Sequence, residues 1–485
     1  MTKGKEYATY QIWIKKGHKL YSYFLEMCQN AKNLYNTTNF YIRQVYTALR
    51  TEKPLQPLQQ EVLHTLQAYI EIMNENQLRA YQKRVQKQKE KPAEERKEIK
   101  CNLFTLPTKE RSFLSYNFLD CLFKTMKQQD YITLPSQVNQ AVMKKLYQNW
   151  KSFFASMKAY QKHHSTFTGR PRIPKYIKSS MKEVVFTNQV CKLQDKYIRF
   201  PKTSIKLNIG KLFGRIDNLK EVRVSPAYGK FKIEIVTEQS EPVLKHVDNN
   251  RYMSIDLGIH NIATITTNTG ATPVLVKGNV IKSINQYYNK QKARLLGILR
   301  HGKEPKEGPH TSKRLERLHE KRFLKIKDFF HKMSYQIVQF AIQHEISMIV
   351  IGKNISWKQN SDMGKRQNQS FCHIPHNLLI EMITYKAKRH GIMVQVMEES
   401  YTSKASFLDN DDISTYGEEY IPVFSGRRIK RGLYRTKENK LLNADVNGSY
   451  NILKKAVPKA FANGIEGLCH QAAVSTPLVL SISCR

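Results

Sequence analysis

Four acidic residues stand in surroundings that suggest chemistry on phosphate. Asp256 follows the apolar run Met253-Ser-Ile and precedes Leu257-Gly258. A carboxylate in such a run is costly to bury unless it is hydrogen-bonded, paired or bound to a cation. Either the backbone amides of a turn at Gly258 satisfy it, or a metal does. Asp445 lies in Asn443-Ala-Asp-Val-Asn-Gly-Ser-Tyr-Asn-Ile, at the head of an expected helix, where it is a helix N-cap or a ligand. In the same stretch Asn447 is a candidate phosphate-contacting or supporting side chain. Glu398 and Glu399 close the expected strand Ile392–Met397. Strand alternation sends them to opposite faces, so only one can enter a shared site. Three convergent carboxylates could hold two Mg²⁺ ions about 3.5–4 Å apart, the arrangement that hydrolyses phosphodiesters.

Elements of an α/β kind must position these acids. From about residue 250 a buried strand, a glycine turn and a second strand are expected over Tyr252-Met-Ser-Ile-Asp-Leu-Gly-Ile-His-Asn-Ile-Ala-Thr-Ile. A long basic helix is expected over about 311–343, then a strand at Ser347–Ile351, a helix at about 376–389 and the strand that ends before Glu398. One side of the long helix is apolar. The other carries Arg314, Arg317, Lys321 and Lys325, a surface suited to a nucleic-acid duplex.

The first half has a different texture. Tyr7-Ala-Thr-Tyr-Gln-Ile-Trp-Ile alternates as a strand does, and helices are expected over about 18–160. Leu134-Pro135-Ser136 starts one of them, with Val138, Val142, Leu146 and Trp150 at helical spacing. The charged stretch Lys83–Lys100 reads as a loop or an exposed helix. Phe167-Thr-Gly-Arg-Pro-Arg-Ile-Pro-Lys disfavours helix and presents Arg170, Arg172 and Lys175 to a nucleic-acid backbone. Short strands follow at 184–187, 197–200, 204–207 and 230–236. With the first strand they could close a small β-barrel, the helices being inserted after strand one.

Charge narrows the partner. Eighty Lys and Arg against forty Asp and Glu give a formal net charge of +40, which calls for a polyanion. No apolar run of about 18 residues is present to span a membrane, so nucleic acid is favoured over a membrane surface. The start, Met1-Thr-Lys-Gly-Lys-Glu-Tyr, lacks the apolar core of a secretory signal. Seven dispersed cysteines without a CxxC pair read as reduced cytoplasmic thiols, not as a four-cysteine zinc site.

Several of these stretches together resemble the TnpB nucleases of bacterial transposons, the relatives and ancestors of the type V CRISPR effectors. The matching words are IDLGIHNIATI (255–265), INQYYNKQKARL (284–295), IVIGKNISWKQ (349–359), EESYTSKASFLD (398–409) and GLYRTKENKLLNADVNGSYNILKK (432–455). LPSQVNQAVMKKL (134–146) and FTGRPRIPKY (167–176) match more loosely. The resemblance implies a multidomain α+β protein. A wedge β-barrel (1–17 plus 165–247) would carry an inserted helical recognition lobe (18–164), followed by an RNase-H-like RuvC nuclease domain (248–404). An insertion (405–440) and the last RuvC motif with a C-terminal tail (441–485) would complete it. The implied activity is RNA-guided cleavage of double-stranded DNA, with Mg²⁺ as cofactor, Mn²⁺ as a substitute, and a guide RNA plus a short flanking motif selecting the target. A nuclease-dead, RNA-guided repressor is the alternative. A monomer or homodimer in a bacterial, nucleoid-associated setting is implied.

Asp256 matches the family's first RuvC aspartate and Asp445 its last. Two departures stand out. Gly352 occupies the place where most members carry the catalytic glutamate, and some lineages instead carry one three residues before a later Thr-Ser. That position is Glu399, which completes the expected trio Asp256, Glu399 and Asp445. The paired cysteines of the family's zinc ribbon are also missing. An arginine-rich segment with Arg427, Arg428 and Arg431 stands there, expected to face nucleic acid without zinc.

Overall fold

The computed structural model describes residues 7–90, 92, 95, 98–216, 218–238, 246–304, 307–354, 364–415, 422–430, 432–462 and 476–482. Two compact units divide the chain, Met1–Ser240 and Glu241–Arg485.

In the first unit, β1 (Tyr7–Ile14) is followed by five helices: α1 (Tyr21–Ala48), α2 (Pro57–Lys89), α3 (Tyr116–Thr125), α4 (Gln129–Ile132) and α5 (Ser136–Lys162). Residues 167–183 form no regular element; strands resume at β2 (Val184–Thr187), β3 (Lys192–Gln194), β4 (Tyr197–Arg199), β5 (Lys206–Asn208), β6 (Asn218–Ala227) and β7 (Lys230–Glu238). A four-stranded antiparallel sheet runs in the order β1-β7-β6-β2, so the helices fill the sequence between its two outer strands. A separate small sheet has the order β3-β4-β5.

Local sequence accounts for most of this. Pro57 at the first turn and reciprocal Gln56–Gln59 bonds start α2. Lys83–Lys89 continues that helix, with mostly exposed side chains, instead of forming a loop. The apolar stripe of α5 buries Val138, Val142, Leu146 and Trp150 against α1. Sequence reading missed β6, where a register shift between Leu219 and Glu221 interrupts the apolar alternation.

The second unit begins with β8 (Tyr252–Asp256), β9 (Asn261–Thr267) and β10 (Val274–Lys277), then α6 (Asn279–Arg300) and α7 (Lys313–Gln343). There follow β11 (Met348–Gly352), α8 (Lys365–Cys372), α9 (His376–Lys388) and β12 (Met393–Met397). A hairpin-like sheet β13 (Arg427–Lys430), β14 (Leu433–Arg435) and β15 (Leu441–Asn443) leads into α10 (Ala444–Ala456), and β16 (Leu478–Leu480) ends the described chain.

The main sheet is mixed, in the order β12-β11-β8-β9-β10-β16. β11 pairs in parallel with both β8 and β12, whereas β8, β9 and β10 are antiparallel neighbours. Alternation splits its residues between two layers. Met253, Ile255, Ile349 and Ile351 pack with Phe329, Met333 and Leu379 of α7 and α9, while Tyr252 and Val350 pack with Ile452 and Leu453 of α10. Asp256 and Gly352 therefore belong to the face covered by α10.

Candidate metal centre

The end of β8 delivers Asp256 towards α10. Gly448 of that helix gives it room, because a Cβ at this position would lie 3.1 Å from Asp256 Oδ2 and press on the carboxylate. No hydrogen bond reaches the Asp256 carboxylate among the described residues, so the turn at Gly258 does not satisfy it through backbone amides. Burial first, and the Asp445 charge second, push its carboxyl up to about 7, with Arg428 pulling the other way.

Asp445 occupies the first turn of α10 but does not cap it. Asn443 is the cap, its Oδ1 accepting from the amides of Asp445 (3.0 Å) and Val446 (3.2 Å). The Asp445 side chain is thereby freed for other partners. Its Oδ2 accepts from Asn261 Nδ2 at 2.7 Å, and its Oδ1 from Arg428 Nη2 at 3.1 Å.

Glu398 and Glu399 diverge. Glu398 accepts from Lys455 Nζ at 2.6 Å and from the Ser400 amide at 2.7 Å. Glu399 instead turns under the sheet to Gly352. A Cβ on Gly352 would lie 2.7 Å from Glu399 Oε2 and 2.5 Å from Ile452 Cδ1. The glycine thus does more than lack a ligand: its bare backbone leaves the space that the Glu399 carboxylate fills. Glu399 Oε2 is buried without a hydrogen-bond partner. Burial, then the charge of Asp256, then that of Glu398, push its carboxyl up to about 8. Asp256 is thus in electrostatic contact with both other acids.

A divalent cation fits this donor set. Hard carboxylate oxygens, mutual repulsion and an orphaned buried oxygen are what Mg²⁺ or Mn²⁺ would relieve. Among the described residues, however, no three His, Cys, Asp or Glu side chains already form a metal-holding group. Both oxygens of Asp445 accept hydrogen bonds from protein donors, Asn261 and Arg428.

A buried hydroxyl cluster ties the helix of Asp445 to the strand of Asp256. Ser254 Oγ lies 2.7 Å from Thr266 Oγ1 and 3.1 Å from Ser449 Oγ, and it donates to the Ser449 carbonyl at 2.7 Å. Sequence reading missed these residues; Ser254 and Ser449, small polar residues at apolar-run positions, were the available signal.

Asn447 corrects the phosphate-contacting expectation and fits the supporting one. It is fully buried, its Nδ2 donating to Ala405 O (2.7 Å) and its Oδ1 accepting from Phe407 N (3.0 Å), so it cannot touch phosphate. Asn451 likewise donates to Thr402 O and Ala405 O. Both asparagines satisfy backbone groups of the chain that follows Glu399.

That chain is stitched to the β13–β15 sheet by two aspartates. Asp409 Oδ2 accepts from Ser406 Oγ (2.6 Å), Ser425 Oγ (3.1 Å) and Lys437 N (2.9 Å). Asp411 Oδ2 accepts from the amides of Ser406 (2.7 Å) and Ser425 (3.0 Å). The sheet they hold carries Arg427 and Arg428, both exposed; Arg431 lies outside the described residues.

The remaining basic candidates are surface residues. Arg314, Arg317, Lys321 and Lys325 lie exposed along α7. In the first unit Arg170, Arg172 and Lys175 are exposed on an irregular segment pinned to α1. Asn36 exchanges bonds with the Ile177 backbone, while Asn39 and Arg43 donate to Pro174 O at 3.0 and 2.9 Å. These pins were not found by sequence reading.

Residues 234–358 match a family described as "Probable transposase", and residues 376–452 match the "Cas12f1-like, TNB domain" family. The "TnpB-like protein ORF457" of Acidianus two-tailed virus is 25% identical over 263 residues, 50% of this chain and 53% of that protein. The match thus spans about half of the viral relative. Solved structures that it resembles include a Cas12f1–sgRNA–target DNA complex, 13% identical with a TM-score of 0.32, covering 92% of this chain and 98% of that one. Another is Alicyclobacillus acidoterrestris C2c1 with a single-guide RNA, 9% identical with a TM-score of 0.32, covering 87% and 69%. The family models and the viral relative thus show likeness to transposase-type and Cas12f1-type families over residues 234–358 and 376–452, and to a TnpB-like protein over about half of the chain. Among the described residues no helix is long and apolar enough to cross a membrane.

Proposed function

We propose that this protein is an RNA-guided DNA endonuclease whose cutting site is built from Asp256, Glu399 and Asp445. The observation that carries the reading is the Glu399 carboxylate, buried with an unpartnered oxygen in the space left by Gly352 and raised in pKa by Asp256. An acid held this way is unfavourable for stability and is the kind of group found at functional sites. The three carboxylates would hold divalent magnesium or manganese. When bound, the metal would lower the pKa of water and stabilise charge on the phosphate.

The chain's own residues do the rest. Asn443 caps α10 and keeps Asp445 in its first turn, and the Ser254–Thr266–Ser449 hydroxyls fix that helix against the strand of Asp256. Gly448 and Gly352 keep both approaches open to the acids. Arg428 and Arg427, on the aspartate-stitched sheet, are suited to phosphate. In this reading the sheet replaces the zinc ribbon, the fold of the second unit is RuvC-like, and the first unit supplies a wedge barrel and a recognition lobe. The exposed arginines and lysines of α7 and of the 170–175 segment then track the guide RNA and its DNA partner, with pairing reading the sequence.

The test is purification, sequencing of copurifying RNA, and cleavage of a DNA matching that RNA. A defined RNA should be present, and cutting should need Mg²⁺ or Mn²⁺. Asp256→Ala or Asp445→Ala should bind target but leave it intact. Cleavage by either variant at the normal rate would remove the assignment, and a wild type that binds but never cuts would leave a guided repressor.

A further inference from the structure

We infer that Asn261 and Lys277 form a positioning relay that aims the Asp445 carboxylate before metal or nucleic acid arrives. The inference rests on the metal-site reading above and deepens it. Asn261 Nδ2 donates to Asp445 Oδ2 at 2.7 Å, and Lys277 Nζ donates to Asn261 Oδ1 at 3.1 Å. A primary amide can present either end to a neighbour, and its carbonyl end would repel a carboxylate. Lys277 removes that freedom: its ammonium takes the carbonyl end, leaving the NH₂ end for Asp445.

The backbone is built to bring these three residues together. Asn261 is the first residue of β9 and Lys277 the last of β10, and they pair across a register shift between Val276 and Lys277. Such a bulge re-aims the side chain that follows it. On one side, a Cβ at Gly258 would lie 2.5 Å from the Asn261 carbonyl oxygen. On the other, a Cβ at Gly278 would lie 2.5 Å from the Ile259 carbonyl oxygen, and the Gly278 amide donates to His260 O at 2.7 Å. Two glycines therefore allow the 257–261 turn and the end of β10 to close on each other at the position of Asn261.

Charge placement gives the relay its purpose. The group touching Asp445 Oδ2 is a neutral donor, and the lysine charge is kept one side chain away. Asp445 is oriented on that side without being neutralised, so its charge stays available to a cation. Arg428, which meets the other oxygen from an exposed strand, is a different kind of contact, because it brings a full positive charge against the carboxylate.

The experiment measures Mn²⁺ binding to the full-length protein freed of nucleic acid, by calorimetric titration, beside single-turnover cleavage and target-DNA affinity of the guide-loaded protein. Asn261→Ala should weaken Mn²⁺ binding by about tenfold and slow the single-turnover step by a similar factor, as loss of a ligand-orienting partner does. Target-DNA affinity should stay within about twofold, because the relay touches no DNA-facing group. Lys277→Met should show a smaller loss of the same kind, and Lys277→Arg should restore most of it. A residue with only a structural role would lower the melting temperature and all three readouts together, and would not distinguish Met from Arg. Should Asn261→Ala fail to fold, Lys277→Met against Lys277→Arg carries the comparison alone. Mn²⁺ affinity and cleavage rate equal to wild type in Asn261→Ala, or in Lys277→Met, would overturn the relay. If the wild type binds no Mn²⁺ that Asp256→Asn abolishes, the metal site itself is wrong and the relay falls with it, an outcome distinct from a wild-type site that the relay variants leave intact.

Discussion

Two buried polar groups, one in each unit, have opposite fates. In the first unit Asn39 is fully buried, and its amide is used at both ends: Nδ2 donates to Pro174 O, and Oδ1 accepts from the indole of Trp150 at 3.0 Å. In the second unit Glu399 is half-buried, and its Oε2 is a buried oxygen bonded to nothing. The first arrangement is what stability demands, since an unpaired buried group costs about 1–3 kcal/mol. The second sacrifices stability where a cation would be bound. Asn39 holds distant backbone in place, whereas Glu399 leaves one carboxylate oxygen without a donor.

The contrast breaks or holds first at Glu399. Glu399→Gln should reduce cleavage at least about a thousandfold, because a site whose groups act as one unit loses nearly everything with one member. Target binding, followed by gel shift with the guide-loaded protein, should be unchanged. The same substitution should stabilise the metal-free protein to denaturant, as relief of like-charge repulsion does. Lower stability in Glu399→Gln would mean that this acid is structurally satisfied after all.

Gly352 sharpens the point. Gly352→Ala places a Cβ against both Ile452 Cδ1 and Glu399 Oε2. Cleavage should fall about tenfold to a hundredfold through displacement of the carboxylate, while guide RNA binding persists. An alanine variant as active as wild type would show that Glu399 does not need this space.

Asn39 is the matching test in the first unit. Asn39→Leu leaves the Trp150 indole and the Pro174 carbonyl without their partner, and should cost about 2–4 kcal/mol in urea unfolding. In the second unit the signature is pH dependence. Burial and like charge raise Asp256 to about 7 and Glu399 to about 8, above the ordinary 3.8 and 4.5. The folded protein then keeps protons that the unfolded chain releases. Metal-free stability is full below the ordinary values and declines as pH rises towards about 8. The decline should be shallower in Glu399→Gln, and added Mg²⁺ should oppose it above neutral pH. A flat profile in thermal melts from pH 4 to 8 would refute this assignment of the charges.

Glu398 should give the smallest effect on chemistry. Its carboxylate is paired with Lys455 and stays outside the acid cluster. Glu398→Gln should cleave within about threefold of wild type, with a melting temperature a few degrees lower from the weakened pair.

Much of this protein was legible in its residues. The apolar stripe of α5, the strand bearing Asp256 and the long basic helix α7 follow from periodicity, because burial of one face is a local property of sequence. The +40 charge already called for a polyanion. Other features are not local. Alternation says that Glu398 and Glu399 part company and the resemblance singles out Glu399, but the hollow beside Gly352 that receives it is made by the packing of α10 under β11. Asn447 reads as either phosphate-contacting or supporting, and the fold decides for support by burying it against the backbone at Ala405 and Phe407. Asp445 resembles a helix cap in sequence, and tertiary structure gives that task to Asn443. Asn261 and Lys277 are sixteen positions apart and meet only because a bulge and two glycines bring strand ends together. Periodic burial is written along the chain, whereas the pairing of buried polar groups depends on which distant segments the packed core brings within hydrogen-bonding distance.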